Sequence, residues 1–229
     1  MVKLNNKKIL MDYVKKYNIN ELFSEDMTDY MEVTMWKKNE YICREGESLN
    51  TLFFIVDGKV KVCKNMANGK SILICFYKPL KIIGDVEFTR TRISDCTVQA
   101  IEDTYTIGIN FEIVRNKLIN DCKFLFYICK YLSEKLITSS TNSSINLLYS
   151  LENKLESYIY AFINDENKES EFTFEGSYTE IAELLGTSYR HLNRTLNKFC
   201  KEGILEKKLK SYVIKDLRKL KFLSQDLYK

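Results

Sequence analysis

Histidine is nearly absent from this 229-residue chain, which holds only His191. A metal site of the kind held by two or three imidazoles cannot be built from it. The chain also has no Gly-rich phosphate loop, Ser-His-Asp set or HExxH motif. No catalytic or metal-ligating residue is therefore assigned, and an enzyme is not expected. Long apolar runs are missing too. None is longer than Ile72–Tyr77, which is too short to cross a bilayer. The N-terminus, MVKLNNKKILMDYV, starts basic but lacks an apolar h-region and a small-residue cleavage site. A cytoplasmic protein without a membrane partner is expected. Cysteines Cys43, Cys63, Cys75, Cys96, Cys122, Cys129 and Cys200 are odd in number and form no CxxC pair. A reducing compartment leaves such thiols free and mostly buried. With 45% apolar residues, the chain can still build a real core in one or two domains.

The most informative stretch is Ser177–Leu205, SYTEIAELLGTSYRHLNRTLNKFCKEGIL. Ser177 or Thr179 can cap a first short helix, to which Ile181, Leu184 and Leu185 give an apolar face. Gly186 breaks the period, since glycine accepts a positive φ at a helix end. Ser188 restarts the chain as an N-cap, and Leu192, Leu196 and Phe199 form one buried stripe that ends near Gly203. Tyr189, Arg190, His191 and Arg194 lie at the start of this second helix, off the stripe. A helix entering the major groove presents its first turns to base edges, where arginine can grip guanine O6 and N7 together. The pattern is a helix-turn-helix, the alternative being a solvated helix with ordinary surface arginines. Its expected DNA face is Thr179, Ser188, Tyr189, Arg190, His191, Arg194 and Lys198. Downstream, Ile204–Lys207 and Tyr212–Ile214 read as two strands of a wing around a lysine-rich turn. There Lys207, Lys208 and Lys210 can reach phosphates of double-stranded DNA.

The net charge of +4 conceals an asymmetry. Between Ser150 and Thr187 there are 2 Lys/Arg against 9 Asp/Glu, whereas Ser188–Lys229 has 12 against 4. A basic segment that begins at the recognition helix suits a phosphate-binding face, although a charge run alone means only a solvated surface.

Toward the N-terminus, residues 7–17 show helical spacing. From Met31 the texture changes to short β-type runs at Met31–Trp36, Glu40–Cys43, Leu52–Val56, Lys59–Cys63, Ser71–Tyr77 and Cys96–Ile101. Asp57-Gly58 and Asn68-Gly69 read as two-residue hairpin turns. Repeated short strands with few helices suggest an antiparallel barrel or jelly roll. After Asn110 the helical period returns, as a short helix and then a long one from about Asp121 to Leu147. It is expected to meet the polar stretch Thr138–Ser144 and resume as Ile145–Ile163. Cys122, Leu125, Cys129, Leu132 and Leu136 follow a heptad spacing, and Phe124, Ile128 and Tyr131 form a neighbouring row. A helix that is apolar on two adjacent sides must bury both, one on its own roll and the other on a second copy. The dimer seam is expected among Cys122, Leu125, Ile128, Cys129, Leu132 and Leu136, with the choice of row open. One wide core face in a monomer is the alternative.

The expected class is therefore α+β. A sensor β-roll (jelly roll) with an N-terminal helix occupies 1–120, a long dimerisation helix 121–149, and a winged helix-turn-helix 150–229. This order resembles the Crp/Fnr family of bacterial transcription regulators over nearly the whole chain, and within it the YeiL-like branch. The resemblance rests on SYRHL at Ser188–Leu192, on Gly203-Ile204-Leu205 followed by YVIK at Tyr212–Lys215, on IIGDVEF at Ile82–Phe88 and on VQAIE at Val98–Glu102. It implies a homodimer on a palindromic DNA site, contact with RNA polymerase, a cyclic-nucleotide-binding-like roll, and base reading by Tyr189, Arg190 and Arg194. The effector pocket it implies comprises Gly84, Asp85, Arg92, Ser94, Asp95, Thr138 and Ser139.

The sensor half departs from the cyclic-AMP pattern of that family. Gly84-Asp85 stands where a glycine–glutamate pair holds the ribose, and Ser94-Asp95-Cys96 where an Arg-Ser/Thr-Ala run holds the phosphate. One lost charged hydrogen bond of that kind is worth about 1.5–3 kcal/mol, and a carboxylate points at the anion instead. Cyclic AMP is not expected and no cofactor is identified. Two alternatives stay open: a degenerate roll with no ligand, or a redox or metal sensor using Cys43, Cys63, Cys75 and Cys96. Metal-dependent cupin enzymes share such rolls but need the histidines that are absent here.

Overall fold

The computed structural model describes residues 1–4, 6–65, 71–90, 92–160, 171–174, 176–209 and 211–224. The chain divides into two compact units, Met1–Lys135 and Leu136–Lys229. In the first unit, strand β1 (Val2–Leu4) and helix α1 (Lys7–Lys16) precede eight further strands. These are β2 (Glu32–Trp36), β3 (Tyr41–Cys43), β4 (Thr51–Asp57), β5 (Val60–Asn65), β6 (Ser71–Tyr77), β7 (Ile82–Ile83), β8 (Thr97–Ala100) and β9 (Thr104–Asn110). They form two antiparallel sheets, ordered β1-β2-β9-β4-β7 and β3-β8-β5-β6. Val33, Phe54, Ile55, Ile107 and Ile109 of the first sheet share one core with Val60, Val62, Val98 and Ala100 of the second. This is the β-roll.

Strand β9 has no counterpart among the predicted strands, yet it lies at the centre of its sheet between β2 and β4. Its polar positions hid it. Thr104 and Thr106 are fully buried, because Thr106 accepts a 2.9 Å bond from the Trp36 indole and Thr104 donates to the Lys59 carbonyl at 3.1 Å. The Asp57-Gly58 hairpin is also corrected. β4 pairs with β7 and β9 while β5 pairs with β6 and β8, so Gly58 carries the chain from one sheet to the other. Glycine is required there, with φ at +81° and an added Cβ only 2.6 Å from the Asp103 carbonyl. The Asn68-Gly69 turn lies outside the described residues.

Short helix α2 (Phe111–Ile113) runs into a π-helical turn at Val114–Leu118, and the long helix α3 spans Cys122–Leu148. Asp121 starts α3 by accepting from the N–H groups of Lys123 (2.9 Å) and Phe124 (3.2 Å), and it also accepts from the Ser24 N–H at 2.7 Å. Burial alone would raise this carboxyl, but the bonds from Ser24 and the helix turn hold it below its ordinary range. Phe124, Ile128 and Tyr131 face the roll and are buried, Phe124 within 5.7 Å of the Phe23 ring and 6.1 Å of the Phe88 ring. Ile128 therefore belongs to the inner row and not to a dimer seam. Cys122, Cys129 and Leu136 are exposed, and Leu125 and Leu132 only flank the core.

The polar stretch Thr138–Ser144 does not interrupt α3, contrary to expectation. The Ser144 hydroxyl bonds inside the helix, donating to the Ser140 carbonyl at 3.0 Å. The break comes at Tyr149–Ser150, where the Ser150 hydroxyl accepts from the Asn153 N–H and opens α4 (Leu151–Tyr160).

The second unit continues with β10 (Glu171–Phe172), α5 (Tyr178–Leu184), α6 (Tyr189–Lys201), β11 (Leu205–Lys207), β12 (Tyr212–Ile214) and α7 (Leu217–Ser224). β12 lies between β10 and β11 in an antiparallel sheet and is buried along its length.

Candidate nucleic-acid interface

Each helix of the Ser177–Leu205 motif starts on a side-chain cap. Ser177 and Glu180 form a reciprocal box, the Glu180 N–H donating to the Ser177 hydroxyl (3.3 Å) and the Ser177 N–H to the Glu180 carboxylate (2.8 Å). Ser177, not Thr179, is the cap; Thr179 is exposed within the first turn of α5. Between the helices, Leu185 ends α5, Gly186 takes φ +64°, and the Thr187 N–H returns to the Ala182 carbonyl at 2.8 Å. Ser188 then caps α6 by accepting from the His191 N–H at 3.3 Å. Leu192, Leu196 and Phe199 are at most 1% exposed, which fixes the rotation of α6 about its axis.

That rotation leaves Ser188, Tyr189, Arg190, His191 and Arg194 on the solvent side. Arg190 and Arg194 make no ion pair or hydrogen bond with any described residue. The Tyr189 ring leans edge-on against Tyr178, with centroids 6.4 Å apart, and Tyr178 donates to the Tyr212 hydroxyl at 3.3 Å. His191 Nδ1 lies 3.3 Å from the Thr187 hydroxyl. Lys207 and Lys208 are exposed on the wing beside the Lys208–Ser211 backbone bond, and Lys210 lies outside the described residues. Lys198 differs from its neighbours. Its ammonium is 2.7 Å from Glu152 and 3.9 Å from Glu202, so two carboxylates already neutralise it.

On the roll, Gly84 adopts φ +94° with an added Cβ 2.9 Å from the Thr51 carbonyl, so no other residue fits. Asp85 is buried and paired with Lys135 of α3 at 2.8 Å. Sequence reasoning missed Lys135, because only the fold brings α3 against this loop. Ser94 is buried and donates weakly (3.4 Å) to Glu87, which also accepts from the Asp95 N–H. The Asp95 carboxylate pairs with Arg90 at 3.2 Å. Arg92 sits half-buried with φ +60°. Thr138 and Ser139 are exposed on α3 within the second unit.

Among the described residues the seven cysteines form no disulfide. Burial pushes the Cys43 and Cys75 thiols up to about 11, leaving little of the reactive thiolate near neutral pH. Among the described residues, no cluster of three or more His, Cys, Asp or Glu could hold a metal, and no helix is long and apolar enough to cross a membrane.

A β-roll followed by a winged helix-turn-helix defines a class of two-part DNA-binding transcription regulators. The chain matches the Cyclic nucleotide-binding domain over residues 33–121 and the Crp-like helix-turn-helix domain over residues 146–223. It is 31% identical over 188 residues to the Regulatory protein YeiL of Escherichia coli O157:H7, covering 82% of this chain and 83% of that protein. A CRP-like cAMP-activated global transcriptional regulator of Mycobacterium tuberculosis is 20% identical, with 85% and 88% covered. A solved structure of a transcriptional regulator of the crp/fnr family from Eubacterium rectale aligns with TM-score 0.73 and 18% identity, covering 93% of this chain and 99% of that one. FixK2 from Bradyrhizobium japonicum aligns with TM-score 0.68 and 16% identity, covering 83% and 96%. The chain belongs to the Crp/Fnr family of transcription regulators, as its motifs implied.

One carboxyl in this unit is pushed well above its ordinary range. Burial raises the Glu156 carboxyl of α4 from 4.5 to about 7, with Glu152 and Glu202 adding to the shift against Lys198 and Lys219. Its Oε2 is buried without a hydrogen-bond partner among the described residues. A carboxyl whose folded pKa is raised favours the folded state most below its unfolded value. That contribution shrinks as the pH rises from 4.5 and is gone above about 7. In urea melts between pH 5 and 8, Glu156→Gln should flatten the fall in midpoint that the unmodified chain shows. Parallel curves for the two proteins would assign the pH dependence to another group.

Proposed function

We propose that the chain acts as a homodimer on a two-fold symmetric operator. In this reading Tyr189, Arg190 and Arg194 meet base edges, while Thr179, Ser188, His191, Lys207 and Lys208 meet the phosphate backbone. The observation that carries it is the basic edge of α6, held opposite a fully buried row with both arginines unengaged by the described residues. Lys198 serves as a link to Glu152 and is a poorer phosphate contact. The outer row of α3 supports the dimer, since Cys122, Cys129 and Leu136 stay exposed and Phe126 beside them is 73% exposed. Membership of the family makes RNA polymerase the proposed protein partner and the cytoplasm the proposed site of action.

The relative named as cAMP-activated does not carry its ligand over to this chain. Asp85 is already held by Lys135, and Glu87 and Asp95 place carboxylates where the family pattern has an arginine for the phosphate. The Asp85–Lys135 pair favours a second reading of the roll, as a scaffold that needs no small effector. The raised cysteine pKa values weigh against a thiolate-based redox sensor.

Arginines that grip base edges should cost about 1–3 kcal/mol when cut to alanine on a selected operator, and much less on a scrambled duplex. Isotherms for Arg190→Ala and Arg194→Ala over several salt concentrations measure this, and equal losses on both duplexes would remove base reading from α6. The same operator should contain two inverted half-sites with centres about 10–10.5 base pairs apart.

Sedimentation of a Leu132→Lys, Leu136→Lys chain should show folded monomers that bind operator weakly. A persistent dimer would place the seam elsewhere.

Calorimetry with millimolar cyclic AMP or cyclic GMP should give no saturable heat. Micromolar binding would overturn the reading of the roll and point to Arg90 and Arg92 as substitute phosphate ligands.

A further inference from the structure

Helix α4 carries its charge inward. Lys154 is 4% exposed, among the fully buried Leu155 and Ile159 of the same helix. Taking an ammonium out of water is costly unless its donors are used, and an apolar residue of similar length would fill the same space more cheaply. The ammonium has a defined use. It donates to the Leu185 carbonyl at 2.6 Å, and burial holds its pKa below the ordinary lysine value.

The position of that carbonyl gives the bond its consequence. Leu185 is the C-terminal cap of α5, where helix carbonyls lack intrahelical donors and the dipole favours a cation. The next residue is Gly186 at φ +64°, and two residues later Ser188 caps α6. The bond therefore lies inside the turn that sets α6 relative to α5. Two positions earlier on α4, Glu152 takes Lys198 of α6 at 2.7 Å. One helix thus holds the turn of the motif and the body of the recognition helix.

We propose that Lys154 is a positioning residue for DNA recognition. Its ammonium fixes the α5–α6 turn, and with it the angle at which Arg190 and Arg194 are presented, without touching DNA. This rests on α6 being the sequence-reading helix.

The test uses the full chain with Lys154→Met, which keeps the length and loses the donor, and Lys154→Gln, which keeps a shorter donor. Each is titrated against an operator selected by the unmodified protein and against a scrambled duplex, with a thermal melt alongside. Lys154→Met should stay folded and lose roughly tenfold on the operator, as expected for a charged hydrogen bond, while changing less than about twofold on the scrambled duplex. Lys154→Gln should recover part of the loss. An unchanged operator affinity, or an equal loss on both duplexes, would overturn the proposal. So would failure of both variants to fold, which would make Lys154 a stability residue only. If the unmodified chain bound both duplexes equally, base reading by α6 would fall, and this proposal with it.

Discussion

Helix α3 is apolar on two adjacent sides, and its own roll can cover only one of them. Phe124, Ile128 and Tyr131 occupy that side, where Phe124 joins Phe23 and Phe88 in an aromatic cluster and the Tyr131 hydroxyl accepts from the Ile82 N–H at 3.0 Å. Burying a side chain of this size stabilises by about 1.5–3 kcal/mol, so the row fixes the rotation of the first half of α3. Two consequences follow from the rotation. Lys135 reaches Asp85 on the loop after β7, and Cys122, Cys129 and Leu136 are turned outward. Exposed apolar side chains of this kind keep unfavourable contact with water, and this is what the proposed dimer would relieve.

Cations in this protein divide by whether a carboxylate or carbonyl already answers them. Lys135, Lys154 and Lys198 are engaged by Asp85, the Leu185 carbonyl and Glu152. Each of these contacts ties one element to another inside a single unit. Arg190 and Arg194 have no such partner among the described residues, and Lys207 and Lys208 stand exposed on the wing. The excess of acidic residues before Ser188 and of basic residues after it follows the same division. Glu152 of α4 holds α6 through Lys198, and the basic edge of α6 is left facing outward.

The loop after β7 combines a backbone that only glycine allows with charges that pair inside the chain. Gly84 remains where only glycine fits, because its φ and its approach to Thr51 are properties of the fold. The charges around it are answered within the chain. Glu87 and Asp95 are held locally by backbone, hydroxyl and Arg90 contacts, and the cation at the site comes from the chain itself. An anion entering here would meet carboxylates and would have to displace an ion pair.

What the sequence determined alone were features that depend on neighbours along the chain, though not all of them: the local Ser150 cap that opens α4 was missed. The helix-turn-helix was legible because caps, glycine and a 3.6-residue stripe act within a few positions. The Ser71–Tyr77 strand, the wing strands and the family motifs were legible for the same reason. Tertiary structure decided the rest. Asp57-Gly58 has the local signature of a hairpin, but strand pairing is non-local and sends β4 and β5 to different sheets. β9 was hidden because Thr104 and Thr106 find partners that only the fold supplies. Both rows of α3 are apolar, and only the roll shows which one it buries. In the sequence Lys154 carries no signal and Lys198 reads as part of the DNA face, whereas the fold buries the first and pairs the second with Glu152. Whether a cation is buried, paired or left for DNA depends on which groups meet it from distant parts of the chain, and that is set only by the fold.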